Sequence, residues 1–547
     1  MAAAWPDRTR VYEGPVGDAV RAAFAECEQL VCFLATGAVV RLVAPLLGDK
    51  TSDPGVVCVD EGGRFAVSLV GGHGGGANEL ASEVGELLGA QPVVTTATDA
   101  VGVPGLDTLG FPVEGDVAGV SRAVLDGEPV ALKADFAWPL PALRVTANGS
   151  YAIRLTDRLV EPAGHEVVLR PPSLVVGVGA SKGAPADEVL ELVEAALRDA
   201  GLSARSIAEL ATVDAKAEEA GIVEAAERLG VPLVTYSAQE LAAVDVPNPS
   251  QAPLAAVGTP SVAEAAALVG GGELLVPKRK SAANPAMATC AVVRRPARGR
   301  LAVVGLGPGA RDLLTPRAKA ELRRASVLVG LDQYVDQIRD LLRPGTRVLE
   351  SGLGAEEERA RTAVEEARKG RAVALIGSGD AGVYAMASPA LAEASDDIDV
   401  IGVPGVTAAL AAAAVLGAPL GHDHASISLS DLHTPWEVIE RRVRAAAEAD
   451  IVVTFYNPRS RGRDWQLPKA LAILAEHREP TTPVGVVRNA SRPDESGRLT
   501  TLAALDPATV DMMTVVTVGN TATRDIAGRM VTPRGYRWQE STQEEPK

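Results

Sequence analysis

Aromatic side chains are scarce in this chain: phenylalanine, tyrosine and tryptophan together make up 3% of its 547 residues. Platforms on which nucleic-acid bases stack are therefore not expected. Cysteine is also rare, and Cys27, Cys32, Cys58 and Cys290 form neither a CxxC pair nor a spacing typical of metal ligands. The sequence predicts no metal site, and it favours free thiols in a reducing compartment.

Positive charge is in short supply as well, since the formal net charge is −17. This disfavours nucleic acid and anionic membranes as main partners. No run of about 18 apolar residues is present, which predicts no transmembrane helix. The first residues lack the basic leader and apolar core of a signal peptide, so we expect a cytoplasmic protein.

What the chain does contain is an alternation of short β-branched runs with helical patterns rich in alanine, leucine, glutamate and arginine. This alternation predicts a multidomain α/β protein with largely parallel sheets. The expected segments are an α/β domain (1–115), a linker-like segment (116–172), a second α/β domain (173–293), a basic linker (294–300), a two-lobed domain (301–538, lobes 301–415 and 416–538) and a disordered tail (539–547).

Glycine-rich loops follow several predicted strands of the C-terminal half. The first is Gly305–Gly309, in which Pro308 breaks the dinucleotide-binding pattern, and no GK[ST] sequence marks a phosphate loop. One such loop is as readily a plain turn as a binding site. Further loops begin at Ser378, Pro404, Tyr456 and Gly519. Because ligands collect at the carboxyl ends of parallel strands, these loops together predict one shared cleft.

The motifs GLGPG, SGDAGVYAMA, PGVTAA, FYNPRS and VGN resemble those of the tetrapyrrole (precorrin) methylase family. Further stretches, among them Tyr456–Ser460, Val487–Ala490 and Met530–Tyr536, resemble its precorrin-3B C(17)-methyltransferase branch. The resemblance spans about residues 300–538. It implies a two-lobed, usually dimeric enzyme that methylates a precorrin from S-adenosylmethionine (SAM), with contraction of the ring.

The resemblance also implies roles for particular residues. The SAM site is expected to contain Gly307, Pro308, Gly309, Gly379, Asp380, Val383, Thr407, Ala408, Tyr456 and Gly519. Carboxylates of the macrocycle are expected to meet Asn457, Arg459, Arg461, Arg463, Arg488 and Arg492, although each arginine is as readily a solvated surface residue. Asp431 and His433 are candidates for the proton transfers of ring contraction, with a helix-cap role for Asp431 as the alternative.

The N-terminal half carries a glycine run, Gly71–Gly76, that leads into a predicted helix capped by Asn78. The free N–H groups of such a helix start predict a cradle for a carboxylate or phosphate. His73 is a candidate proton donor, although a lone histidine in a glycine loop is more often structural. Glu79 and Asp99 are candidate general bases.

Residues 10–290 resemble the cobalt-precorrin-5A hydrolase family, which opens a ring lactone and releases a two-carbon aldehyde. Where that family tends to have a cysteine, this chain has Ala180–Gly183. Together the two resemblances predict a bifunctional enzyme of cobalamin synthesis that acts on precorrin intermediates. The alternatives are a non-catalytic corrinoid-binding N-terminal half and, from another class, an NAD(H)-dependent oxidoreductase.

Overall fold

The structure, a computed structural model, describes residues 14–48, 52–72, 74–95, 105–106 and 109–535. The chain divides into two compact units. The first comprises Met1–Ala297 with Arg343–Gly345, and the second comprises Arg298–Leu342 with Thr346–Lys547. No helix in the described ranges is both long and apolar enough to cross a membrane.

The helices of the described chain are mostly two to four turns long. They are α1 (Val16–Glu26), α2 (Thr36–Val43), α3 (Ala77–Leu88), α4 (Val117–Asp126), α5 (Ala186–Asp199), α6 (Ala220–Leu229), α7 (Ala238–Ala242), α8 (Gln251–Val257), α9 (Ala263–Leu268), α10 (Pro316–Arg324), α11 (Asp332–Ile338), α12 (Glu356–Arg368), α13 (Ala387–Glu393), α14 (Ala408–Leu416), α15 (Trp436–Glu448) and α16 (Gln466–Ala475).

The strands of the first unit are β1 (Gln29–Phe33), β2 (Gly55–Val59), β3 (Phe65–Val70), β4 (Gln91–Val93), β5 (Val113–Gly115), β6 (Val130–Ala134), β7 (Tyr151–Leu155), β8 (Glu166–Leu169), β9 (Leu174–Ala180), β10 (Ile207–Val213), β11 (Leu233–Tyr236), β12 (Glu273–Lys280) and β13 (Ala288–Arg294). They form three sheets, in the orders β1-β2-β3-β4, β5-β8-β7-β6 and β11-β10-β9-β13-β12.

The strands of the second unit are β14 (Arg300–Gly305), β15 (Val327–Leu331), β16 (Arg347–Ser351), β17 (Ala372–Gly377), β18 (Asp399–Val403), β19 (Gly417–Ala418), β20 (His424–Ser428), β21 (Val452–Tyr456), β22 (Pro483–Arg488), β23 (Ser496–Thr501), β24 (Thr514–Val518), β25 (Arg524–Ile526) and β26 (Arg529–Val531). The fold-class prediction is confirmed, because helices alternate with strands in both units.

The segment 116–172, predicted to be linker-like, differs from that prediction. It contains α4 and three strands, which pack with β5 around a core that includes Val120, Ile153 and Leu169. Charged residues inside this sheet obscure its pattern in the sequence. Glu166 on β8 is buried and accepts hydrogen bonds from Arg154 on the adjacent strand β7 and from Lys133 on β6, one strand further along the sheet.

The predicted basic linker is shorter in the structure, because both of its ends belong to strands. Arg294 ends β13, and its guanidinium pairs with the buried carboxylate of Asp157 at 2.6 Å. Arg300 begins β14 and donates to Glu321 on α10 at 2.8 Å. Only residues 295–299 remain as connecting chain.

Two sheets organise the second unit, and they define its lower and upper lobes. The lower sheet, in the order β16-β15-β17-β14-β18, is parallel throughout. The upper sheet, in the order β20-β21-β24-β22-β23, is mixed. Within it, β24 runs antiparallel to both β21 and β22.

Candidate active site

Three glycine loops of the lower lobe are joined by their backbones. Gly307 N donates to Gly379 O at 2.9 Å, and Gly379 N donates to Gly307 O at 2.7 Å. A side chain at Gly405 would lie 2.1 Å from the oxygen of Gly379, which no Cβ atom tolerates. These loops therefore need glycine for their close approach, whether or not a ligand is bound.

Asp380 fastens the second of these loops to the third. One carboxylate oxygen accepts from Gly382 N at 2.8 Å, and the other accepts from Gly405 N at 2.9 Å. The motif predicts that this side chain contacts SAM, whereas in the structure both of its oxygens accept hydrogen bonds from backbone N–H groups. Asp380 also lies outside the wall of the cavity that the strand-end loops of this unit surround.

That cavity has a volume of about 280 Å³. It lies where the lower strands β15 and β17 end and where the upper strand β21 ends. Residues of both lobes line it, and the predicted SAM-site residues among them are Pro308, Gly379, Val383, Thr407, Ala408 and Tyr456. The sequence prediction of one cleft formed by several strand-end loops thus has a physical counterpart.

Gly519 does not belong to this cavity, contrary to its predicted place in the SAM site. The prediction assumed that all strands point the same way. Strand β24 instead runs antiparallel to β21, so that Val518 pairs with Val453 at the start of β21. Gly519 therefore lies at the opposite edge of the upper sheet, where its oxygen accepts from Arg478.

Tyr456 connects the upper lobe to the helix that begins at the third glycine loop. Its hydroxyl accepts from Ala409 N at 2.9 Å in the first turn of α14, and it shares a hydrogen bond with the Thr407 hydroxyl. Burial raises the pKa of Tyr456 above its ordinary value, so the group stays neutral near pH 7. This contact satisfies an N–H group that the helix itself leaves free.

Tyr384 bridges the two lobes beside Tyr456. Its hydroxyl donates to Ser426 O on β20 at 2.7 Å, and the centroids of the Tyr384 and Tyr456 rings lie 5.4 Å apart. Tyr384 adopts a left-handed backbone conformation with φ of 52°. Asn457 and Asn489 in the cavity wall are also left-handed, with φ of 50° and 51°. Such strained residues concentrate at functional sites.

Of the predicted substrate-binding residues, only Asn457 and Arg492 line the cavity. The Nε group of Arg492 donates to Pro308 O at 3.1 Å. A side chain at Gly309 would lie 2.6 Å from Arg492 Cγ, so the first glycine loop fits closely against this arginine. The terminal guanidinium nitrogens of Arg492 form no hydrogen bond or ion pair with the described residues.

The other predicted arginines lie outside the cavity wall and differ in their hydrogen-bond and ion-pair partners. Arg463 donates to Leu429 O and Asn457 O, and burial lowers its pKa. Arg488 pairs with Asp511 and Asp494, which raises its pKa. Arg459 donates to Ala508 O at 2.7 Å. Arg461 is exposed.

Asp431 and His433, the candidates for proton transfer, are both exposed in the loop after β20. Asp431 accepts from Gln466 Nε2 at 3.0 Å. The alternative helix-cap role does not occur, because α15 begins at Trp436 after Pro435.

The glycine run of the first unit packs against a strand. A side chain at Gly55 on β2 would lie 2.2 Å from Gly75 O. The N–H groups of Ala77 and Asn78 donate to Gly71 O and Gly72 O, so the predicted cradle of free donors is partly filled. The helix is capped by Gly76, and the side chain of Asn78 instead accepts from Ser68.

Glu79 is exposed in the first turn of α3. His73 and Asp99, the remaining candidates in this half, lie outside the described residues. The cysteine-free turn Ala180–Gly183 is held by Glu219, which accepts from Gly183 N. Within the described ranges, no group of three or more histidine, cysteine, aspartate or glutamate side chains could hold a metal ion.

Three further residues line the cavity without having been predicted as site residues: Arg359, Asn489 and Met386. Asn489 is buried, and its Oδ1 atom has no hydrogen-bond partner among the described residues. A signal for Arg359 exists in the sequence. It stands four and eight residues before Ala363 and Ala367, on the buried stripe of α12, where a charged residue is unusual.

Three family profiles match the chain. Residues 300–506 match the tetrapyrrole (corrin/porphyrin) methylases, residues 18–99 match the cobalamin synthesis G N-terminal family, and residues 174–293 match the cobalamin synthesis G C-terminus family. The predicted resemblances of the two halves are thereby confirmed.

Individual proteins are similar to the second unit. The probable cobalt-factor III C(17)-methyltransferase of Salmonella typhimurium is 47% identical over 239 residues, which cover 43% of this chain and 99% of that protein. The precorrin-3B C(17)-methyltransferase of Sinorhizobium sp is 40% identical over 250 residues, or 44% of this chain and 97% of that protein. The crystal structure of the methyltransferase CobJ is 41% identical and covers 43% of this chain and 100% of its own, with a TM-score of 0.42. Because this chain matches nearly the whole length of the Salmonella and Sinorhizobium proteins, and its residues 300–506 match the methylase profile, it belongs to the tetrapyrrole methylase family.

Proposed function

We propose that the second unit transfers a methyl group from SAM to ring carbon 17 of a precorrin-3B-type tetrapyrrole, with ring contraction, in cobalamin biosynthesis. The observation that carries this proposal is the cavity at the strand ends of the two lobes, lined by the methylase motifs. The names of the similar proteins support the same reaction, and they differ on whether the acceptor carries cobalt.

The residues of the cavity fit SAM. Val383, Met386 and Val515 give it apolar walls, and the glycine loops expose backbone groups for the adenosine. The unpartnered Oδ1 atom of Asn489 offers an acceptor for a ligand N–H group. SAM supplies an electrophilic methyl group, and its transfer to carbon depends mainly on alignment, which rigid loops provide.

The acceptor is a macrocycle with many carboxylates, and Arg492 supports its binding. This side chain lines the cavity and keeps terminal N–H donors for an anion. Arg461 is exposed, and it adds positive charge on the loop after β21. Asp431 and His433 remain our candidates for the proton transfers of ring contraction. By analogy with the family, we also propose a homodimer.

Calorimetry with S-adenosylhomocysteine (SAH) and NAD(H) tests the proposed site. We expect SAH to bind and NAD(H) not to bind. Val383→Trp fills the cavity without removing a side-chain hydrogen bond, so it should abolish SAH binding. Leu391→Trp, at an exposed position outside the cavity, is the matched control and should bind normally. Binding of NAD(H) without SAH would support the oxidoreductase alternative instead.

We propose further that the first unit hydrolyses the ring lactone of cobalt-precorrin-5A. The two cobalamin synthesis G family matches, which cover residues 18–99 and 174–293, carry this proposal. Glu79 is our candidate base, with His73 and Asp99 as further candidates. Ala180–Gly183 stands where the resembled hydrolase family tends to have a cysteine, so the proposed chemistry uses no thiol nucleophile at this turn. The buried Cys290, whose pKa burial raises to about 12, is unsuited to that role.

The test incubates the full chain with cobalt-precorrin-5A in the absence of SAM and measures release of the two-carbon aldehyde. Glu79→Gln should slow the release about 100-fold or more if Glu79 is the general base. Glu83→Gln, an exposed neighbour on the same helix, is the control. Tight binding of the corrinoid without aldehyde release would instead favour a non-catalytic corrinoid-binding module.

A further inference from the structure

Arg359 is a buried cation in the wall of the active-site cavity. Its side chain, in the first turn of α12, is only 5% exposed. Its Nε group donates to Ser351 Oγ at 3.0 Å, and Nη2 donates to Gly352 O at 2.8 Å. Nη1 has only the sulfur of Met386 nearby, at 3.6 Å, and a thioether is a weak acceptor. The remaining guanidinium donors have no partner among the described residues.

No carboxylate of the described chain pairs with this guanidinium. Glu356, one turn earlier on α12, lines the same cavity, but its carboxylate accepts from Gly354 N and makes no ion pair with Arg359. Two other buried arginines of the described chain have stronger or more numerous acceptors. Arg170 pairs with Glu114, and Arg478 donates to four backbone oxygens. A buried charge without a counter-ion is costly, so Arg359 lacks the partner that this environment calls for.

We infer that Arg359 binds a carboxylate of the ligand that occupies this cavity. The inference rests on the proposed function and deepens it. Both proposed ligands carry such a group: SAM at its amino-acid end, and the tetrapyrrole on its side chains. A planar guanidinium with free N–H donors on both terminal nitrogens suits a carboxylate in a two-point contact. The bonds to Ser351 and Gly352 fix the plane of the guanidinium before the ligand arrives.

The first experiment compares affinities for SAH and for decarboxylated SAH, which differ only in the carboxylate. If that carboxylate is the partner, Arg359→Met should weaken SAH binding about tenfold to a hundredfold. Binding of the decarboxylated analogue should then change little. Arg359→Lys keeps the charge but loses the planar guanidinium, so its affinity for SAH should lie between those of the unmodified protein and Arg359→Met. If the methionine variant does not fold, the lysine variant is used for the test. Arg361→Met removes an exposed arginine of the same helix and serves as the control.

The second experiment measures KM for the tetrapyrrole as its free acid and as its methyl esters. If a carboxylate of the macrocycle is the partner, SAH binding should be unchanged. Arg359→Met should then raise KM for the acid about tenfold or more, without affecting the esters. Equal losses for charged and uncharged ligands, or no change in either experiment, would overturn the inference and leave Arg359 a structural residue. Failure of the unmodified protein to bind SAH would instead contradict the proposed function itself.

Discussion

At the scale of single residues, Asp380 shows how a motif residue can act through the backbone. Its two carboxylate oxygens hold Gly382 and Gly405, so it fixes the shape of the loops around the cavity. We predict that Asp380→Ala lowers the free energy of unfolding by about 1–3 kcal/mol, because two backbone donors lose their acceptor. SAH affinity should fall with it, since the loops lose their positions.

Chemical denaturation and calorimetry of the same variant check this prediction, with the exposed Asp396→Ala as the control. A variant of full stability that has lost only its affinity for SAH would contradict the anchoring role. It would favour the direct contact with SAM that the motif suggested.

The sequence located the shared cavity where a loop follows a strand of known direction, and the contact of its residues with SAM stays a prediction. Pro308, Gly379, Thr407 and Tyr456 were all expected in one cleft and do line one cavity. Gly519 was misplaced because the direction of β24 depends on long-range pairing, which local patterns do not reveal. The roles of Arg463 and Arg488 likewise depend on neighbours distant in sequence.

At the scale of elements, runs of β-branched residues predicted the buried parallel strands well, because such strands are apolar on both faces. Strand β17, for example, is buried along its whole length. The sheet of the middle segment was missed. Its strand β7 contains Arg154, whose charge is compensated by the buried Glu166 on the neighbouring strand β8. Ion pairs of this kind hide the apolar alternation on which strand prediction depends.

The contact between β14 and α10 should make the second unit sensitive to acid. Burial alone would raise the pKa of Glu321, but its hydrogen bonds and ion pair with Arg300 outweigh this and hold that pKa below the ordinary value of 4.5. The carboxylate therefore stabilises the fold above about pH 4.5. This contribution is lost as the pH falls through the lowered pKa of the folded state.

Unfolding of Glu321→Gln measured between pH 7 and pH 3 tests this contribution. The variant should be less stable than the unmodified protein at pH 7, and the difference should shrink toward pH 3. Glu365→Gln, which replaces an exposed glutamate of α12, is the control. A stability difference that does not change with pH would contradict the assigned role of the Arg300–Glu321 pair.

At the scale of the whole molecule, the chain forms two compact units, and the SAM site that we propose lies in the second. A ligand at one hundred times its Kd adds about 2.7 kcal/mol to the stability of the state that binds it. In calorimetric unfolding, SAH should therefore raise the Tm of the transition that belongs to the second unit and leave that of the first unchanged. Val383→Trp should remove the effect, and an equal shift of both transitions would contradict the assignment.

The most direct test of the central claim follows the transferred methyl group itself. The full chain is incubated with SAM labelled with ¹³C in its methyl group and with precorrin-3B, with and without cobalt, and the product is analysed by NMR and mass spectrometry. We predict one labelled methyl group on ring carbon 17 of a ring-contracted product, with one of the two acceptors preferred. A label on another ring carbon, or SAH binding without any methyl transfer to either acceptor, would contradict the account.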